Sequence, residues 1–182
     1  MRFPLELFSA MRAAWPEHKP MSVRISSTDW KDGGLSFDDL AAAAHMLKQA
    51  GADLIDCSAG QTVPDQEPIY GRMFQTPFAD YVRNTTGIAT MAVGNITTAD
   101  QANTIVASGR ADLVALARPH LANPYFVVQA AASYDHQGQY WPKQYDTAKK
   151  QAHILAERAN EELLEMKRAM KPPSHQVTDD AA

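Results

Sequence analysis

The sequence predicts an α/β fold made of parallel βα units, and three observations carry that prediction. Apolar periodicity switches several times between short strand-like runs and longer helix-like stripes, the sequence mark of strands joined by crossover helices. Two of the runs, Thr90-Met-Ala-Val-Gly-Asn-Ile96 and Asp112-Leu-Val-Ala-Leu-Ala-Arg-Pro119, each stop at a turn and open a helix. The composition is that of a globular domain: 182 residues, 45% hydrophobic and 21% charged, enough to bury one core and too little for a second full domain.

The expected strands are Met21 to Ser26, Asp53 to Ser58, Ile88 to Val93 and Asp112 to Ala117. All are short and rich in Val, Ile and Leu, as strands covered on both faces should be. Between the first two, Ser36 stands as an N-cap before Phe37, Asp38 and Asp39 place negative charge at the positive end of the helix dipole, and Gly51 ends the helix. Between the last two, Thr97 or Thr98 caps a helix through Ser108, and Gly109 terminates it. Both helices run into a strand through similar words, Gly51-Ala-Asp-Leu54 and Gly109-Arg-Ala-Asp-Leu113, which points to repeated βα architecture.

The stretch from Ala59 to Phe74, ahead of a helix beginning near Pro77, is longer than an ordinary βα turn and lies on the C-terminal side of the strands, where pockets form. A disordered surface insertion is the competing reading, and Ile69, Tyr70, Met73 and Phe74 argue against it. From Asp146 the pattern becomes one long amphipathic helix, with Ala148, Ala152, Leu155, Ala159, Leu163, Met166 and Met170 at three- or four-residue spacing, expected to dock on the body or on a partner. The expected organisation is thus 1–145 as the βα region, 146–171 as the C-terminal helix, and 172–182 as a disordered tail.

A net charge of −4 and a pI near 5.8 give no electrostatic footprint for nucleic acid or an anionic membrane. One cysteine, Cys57, and an N-terminus without a long apolar stretch make the cytoplasm the expected compartment. Cys57, between Asp56 and Ser58 at a strand end, reads as a small buried hydrophobe and not as a nucleophile. The six histidines, His45 and His120 included, show no metal-ligand spacing.

The two strand ends carry the chemistry. Adjacent parallel strands that end in this way aim backbone N–H groups, helix N-termini and one arginine at a single point, which suits a phosphate; the candidates are Gly94, Asn95, Ala117 and Arg118. Ordinary turn residues with a solvated arginine are the alternative. Arg24 ends an apolar strand, where a charge is costly without an acceptor; it either serves a ligand or pairs structurally with Asp56 or Asp29.

The words Val23-Arg-Ile-Ser26, Gly51-Ala-Asp-Leu-Ile-Asp-Cys-Ser-Ala-Gly60, Ala89-Thr-Met-Ala-Val-Gly-Asn-Ile96 and Gly109-Arg-Ala-Asp-Leu-Val-Ala-Leu-Ala-Arg-Pro119 together resemble the Old Yellow Enzyme type of NADH:flavin oxidoreductase, in family order and spacing from Met1 to about Tyr145. Tyr70-Gly-Arg-Met-Phe-Gln-Thr-Pro-Phe-Ala-Asp80 and Trp141-Pro-Lys-Gln-Tyr145 look most like the reductase module of salicylyl-CoA and 2-aminobenzoyl-CoA monooxygenase-reductase fusions. The resemblance implies the C-terminal half of a (β/α)₈ TIM barrel, four parallel βα units plus a C-terminal helix, with FMN as cofactor and NAD(P)H as reductant. It assigns Arg24 to the N1/O2 edge of the flavin ring, and Gly94, Asn95, Ala117 and Arg118 to the flavin phosphate, with Ala117 where the family often has glycine. Tyr70 and Arg72 would face an aromatic or unsaturated acyl substrate.

The family's four earlier strands, with their substrate-binding His-His or His-Asn pair, have no counterpart here, so the resemblance implies a partner: the missing N-terminal half of the barrel or a second copy. A truncated, non-catalytic half-barrel and a phosphate-binding barrel half of another kind remain as alternatives.

Overall fold

The computed structural model describes residues 1–170, and the chain divides into two compact units, one from Met1 to Ala122 and one from Asn123 onward. The expected tail at 172–182 lies outside the described residues. In the first unit the order is α1 (Arg2–Ala14), β1 (Ser22–Ser26), α2 (Phe37–Gln49), β2 (Leu54–Ser58), α3 (Thr76–Thr86), β3 (Ala89–Ala92), α4 (Ala99–Ala107), β4 (Leu113–Val114) and α5 (Arg118–Ala122). The four strands pair in parallel in sequence order, β1-β2-β3-β4, the arrangement of a partial TIM barrel.

Register decides which residues face the helices. Val23, Ile55 and Thr90 stand in one row, as do Ile25, Cys57 and Ala92, and the β2 and β3 members of both rows are buried. They pack with Leu40, Ala44 and Leu47 of α2, Phe78, Ala79 and Val82 of α3, and Ile105 of α4. The alternate rows, Arg24 with Asp56 and Met91, and Ser26 with Ser58, lie on the opposite side and are exposed or half-buried, because no element of the unit covers it.

The recurring Ala-Asp-Leu word has a structural reason. Asp53 Oδ2 accepts from the Met21 backbone N–H at 2.7 Å and from Arg12 of α1 at 3.4 Å. Asp112 Oδ2 accepts from the Thr90 N–H at 2.9 Å and from Arg83 of α3 at 3.1 Å. In each case the aspartate that opens one strand clamps the previous strand and the helix leading into it. The charge-assisted bonds fix register and helix position together.

The helix caps follow the sequence closely. Ser36 and Asp39 form a reciprocal capping box on α2, and the hydrogen bonds from Ser36 hold the Asp39 carboxyl below its usual pKa. Thr98, not Thr97, caps α4 by accepting from Gln101 N–H. The helix expected near Pro77 begins at Thr76 and leaves Pro77 in its first turn, where the missing N–H costs nothing.

The fourth strand is a correction: expected over Asp112–Ala117, it spans only Leu113–Val114. It has one neighbour, β3, which turns away at Gly94 with φ +106°. The last ladder bond is Ala115 N–H to Ala92 C=O at 2.9 Å, and beyond it no partner backbone remains.

The second unit contains α6 (Phe126–Ser133) and α7 (Asp146–Ala169), joined through a short 3₁₀ turn at Lys143–Tyr145. Ala131, Ala132 and Trp141 are buried, Tyr125 and Tyr145 meet edge to face with a 3.0 Å bond between their hydroxyls, and that bond raises the Tyr125 pKa. No residue of α7 is fully buried.

Candidate functional site

The C-terminal ends of β1 and β2 open into a cleft of about 410 Å³ lined by Arg24, Ser58, Gly60, Tyr70 and Gln75, among others. Arg24 reaches across the strand pair: Nη1 donates to Asp56 Oδ2 at 3.0 Å and Nη2 to Ser58 Oγ at 2.7 Å. Of the two acids the sequence offered as its partner, Asp56 is therefore the one used. Asp29 instead accepts from the Leu35 N–H at 3.0 Å and shapes the turn before α2. Arg24 remains more than half exposed, with donors to spare.

The ends of β3 and β4 open into a second cleft of about 490 Å³, and the structure brings all four expected phosphate residues, Gly94, Asn95, Ala117 and Arg118, to its lining. Ala117 and Arg118 are exposed, and Arg118 is the first residue of α5. Asn95 has φ +51° and uses its side chain elsewhere: Nδ2 donates to the Gly71 carbonyl at 2.9 Å, while its own carbonyl accepts from Met73 N–H at 3.2 Å. It fastens the long loop to this corner, which leaves its backbone N–H as the group it can offer an anion.

Gln75 joins the two clefts, and no sequence motif announces it. It precedes α3, is buried, donates from Nε2 to the Ala59 carbonyl at 2.8 Å, and lines the Arg24 cleft. It also packs so closely beneath Gly94 that a β-carbon there would lie 2.9 Å from Gln75 Cγ and Cδ. Glycine at 94 thus answers both a left-handed backbone and a close approach.

The long loop is built, not loose. Trp30 stacks on Phe74 with centroids 6.0 Å apart and meets Phe78 edge-on at 5.5 Å, and Met73 packs against the core. Lys31 pairs with Asp65, and Glu67 N–H donates to the Trp30 carbonyl at 2.8 Å. Of the four apolar residues that argued for order, Met73 and Phe74 are half-buried, whereas Ile69 and Tyr70 are exposed. Tyr70 rests edge-on against Phe74 at the rim of the Arg24 cleft; Arg72 is exposed and is not among the residues lining that cleft.

Cys57 is fully buried on the helix side of β2, and burial, reinforced by the neighbouring Asp56 charge, pushes its thiol up to about 12. A thiol held neutral is no nucleophile. Among the described residues no group of three or more His, Cys, Asp or Glu could hold a metal ion, and no helix is long and apolar enough to cross a membrane.

Four parallel βα units with clefts at the C-terminal strand ends, one centred on a clamped arginine and one on strand-end turns and a second arginine, have the architecture of part of a TIM barrel. The chain belongs to the NADH:flavin oxidoreductase / NADH oxidase family, whose profile matches residues 1–137. It is 45% identical over 130 residues to an NADPH dehydrogenase of Geobacillus sp. (strain WCH70), covering 71% of this chain and 37% of that protein. It is 39% identical over 143 residues to an NADPH dehydrogenase of Listeria innocua, covering 79% of this chain and 41% of that protein. The chain therefore spans about two fifths of the length of these relatives. Among solved structures, a 2-naphthoyl-CoA reductase in complex with 2-naphthoyl-CoA superposes with a TM-score of 0.61 at 26% identity, over 68% of this chain and 20% of that one.

Proposed function

We propose that this chain is the cofactor-phosphate half of an FMN-dependent NAD(P)H oxidoreductase acting on an aromatic or unsaturated acyl substrate. The observation that carries the proposal is that the Arg24 cleft, lined by Gln75, and the Gly94–Arg118 cleft meet where Gln75 packs against Gly94. The donor set suits the cofactor: a guanidinium with unspent N–H groups for an electron-rich ring edge, and turn amides with a second guanidinium for a phosphate dianion. Held there, FMN would supply hydride transfer from NAD(P)H to an electron-poor double bond.

The chain's own residues bind and orient. Arg24 would hold the electron-rich edge of the flavin ring and favour negative charge there, while the backbone N–H groups of Gly94, Asn95 and Ala117, with the Arg118 side chain, would hold the phosphate. Tyr70, at the rim of the Arg24 cleft on the loop that Asn95 fastens, faces the acyl substrate, whereas Arg72, outside that lining, is left without this role; that the superposing reductase holds an aromatic acyl thioester supports this substrate class.

The open sheet face and the free edge of β1 call for a complement. Phe3, Leu7 and Met11 recur every four residues along α1, Trp15 follows at the same spacing at its C-cap, all four are exposed, and an apolar cleft of about 470 Å³ runs between α1 and β1. We assign that surface to further βα units that complete the barrel, of the kind that fit the part of the relatives this chain does not match.

Titration of FMN into the protein, followed by quenching of flavin fluorescence, tests the cofactor reading. Saturable one-to-one binding that Arg118→Ala weakens at least about tenfold, the loss of one charge-assisted contact, is expected. A colourless protein that leaves FMN fluorescence unchanged overturns it in favour of a non-catalytic half-barrel.

A further inference from the structure

We infer that Asp56 is a positioning residue for Arg24: its carboxylate fixes the plane of the guanidinium and offsets part of its charge, so the β1–β2 pair sets how strongly a bound flavin is biased toward its reduced form. The inference rests on the FMN reading above.

Parallel register places Arg24 opposite Asp56 and Ser26 opposite Ser58 on the uncovered face, so the arginine side chain must cross to β2 to find acceptors. It finds two on that one strand, a charged oxygen at 3.0 Å and a hydroxyl at 2.7 Å, each taken by a different terminal nitrogen. These two anchored nitrogens and the covalent link through Nε give three points, which determine the orientation of the planar group.

The pair is also asymmetric in depth: the side chain of Asp56 is 15% exposed and that of Arg24 57%, so the acid stands behind and the cation in front, toward the cleft. Asp56 Oδ1 is buried with no hydrogen-bond partner, and Arg24 is the only cation paired with this carboxylate among the described residues. An ion pair at an open surface contributes little to stability. This one is half sunk, shares a hydroxyl, and points its cation at the cleft, which is what tuning a ligand's charge requires.

The test is the two-electron midpoint potential of bound FMN in three variants, with FMN affinity measured alongside. Asp56→Asn keeps an acceptor in place and removes the negative charge, so the potential should rise by about 30 mV, a tenfold change in the reduced-to-oxidised ratio. Ser58→Asp adds a carboxylate at the other guanidinium nitrogen on an accessible face and should move it downward. Ser58→Ala, which removes an anchor but no charge, should shift it less than either. Should Asp56→Asn not fold, the Ser58→Asp shift decides. Variants that bind FMN like the parent at an unchanged potential overturn the role of Asp56 and leave the cofactor reading standing. A parent protein that binds no FMN overturns both.

Discussion

The two faces of the four-stranded sheet come from the same residues in alternation, yet one is finished and the other is not. On the helix side Ile55, Cys57, Thr90 and Ala92 are fully buried; on the other, Arg24, Ser26 and Leu113 are exposed and Asp56, Ser58 and Met91 half so. A period of two hands each strand one stability face and one chemistry face. Stability here is built by α2, α3 and α4 packing on the first, and the clefts gather at the strand ends that border the second.

The largest expected effect tests that division directly. Ile55→Ala empties a fully buried site and should cost about 2–5 kcal/mol in denaturant unfolding, since neighbours that are locked between sheet and helices relax only partly. Leu113→Ala, at a side chain half exposed on the other face, should change stability by no more than about 0.5 kcal/mol. Equal losses at the two positions would mean that the open face is covered in solution, and would break the comparison.

A second substitution sharpens it at the corner where the two clefts meet. Gly94→Ala forces an L-residue into φ +106° and drives a methyl group into Gln75, so it should cost about 1–3 kcal/mol. Because Gln75 lines the Arg24 cleft, the same variant should also weaken FMN binding. Thermal unfolding with and without FMN separates the two effects: a full loss of stability with FMN affinity unchanged would show that the clefts are independent.

How much of this could be read from the residues follows from how local each feature is. The βα order, the Ser36 cap and the glycines at 51 and 109 depend on a few neighbours, and the sequence states them. The Asp53 and Asp112 clamps were visible as a repeated word but not as a mechanism, since their acceptors' partners lie 32 and 22 residues away in the chain. The shortness of β4 was hidden because strand length depends on what the neighbour offers, and β3 turns away first. At the site, the charge of Arg24 in an apolar strand drew attention to it. That Asp56 is its acceptor and Asp29 is not depends on register, and Gln75 belongs to no motif at all.

The last expected effect depends on pH and concerns two consecutive residues on opposite faces, Asp56 and Cys57. Burial raises the Cys57 thiol to about 12, whereas a thiol in the unfolded chain titrates near 8.5. Below about pH 8.5 both states carry the proton and the group adds no pH dependence. As pH climbs toward 12 the unfolded state releases a proton that the native state keeps, so stability falls, by at most about 1.4 kcal/mol per pH unit for this one group. Unfolding measured across pH 8 to 11 should therefore show a downward slope that Cys57→Ala reduces, judged by slope because the alanine also leaves a small cavity. Native protein should meanwhile resist thiol alkylation at pH 8.5 and react once unfolded. Rapid alkylation without unfolding would place Cys57 in reach of solvent, and would deny the helix-covered face the completeness on which its contrast with the Arg24 face depends.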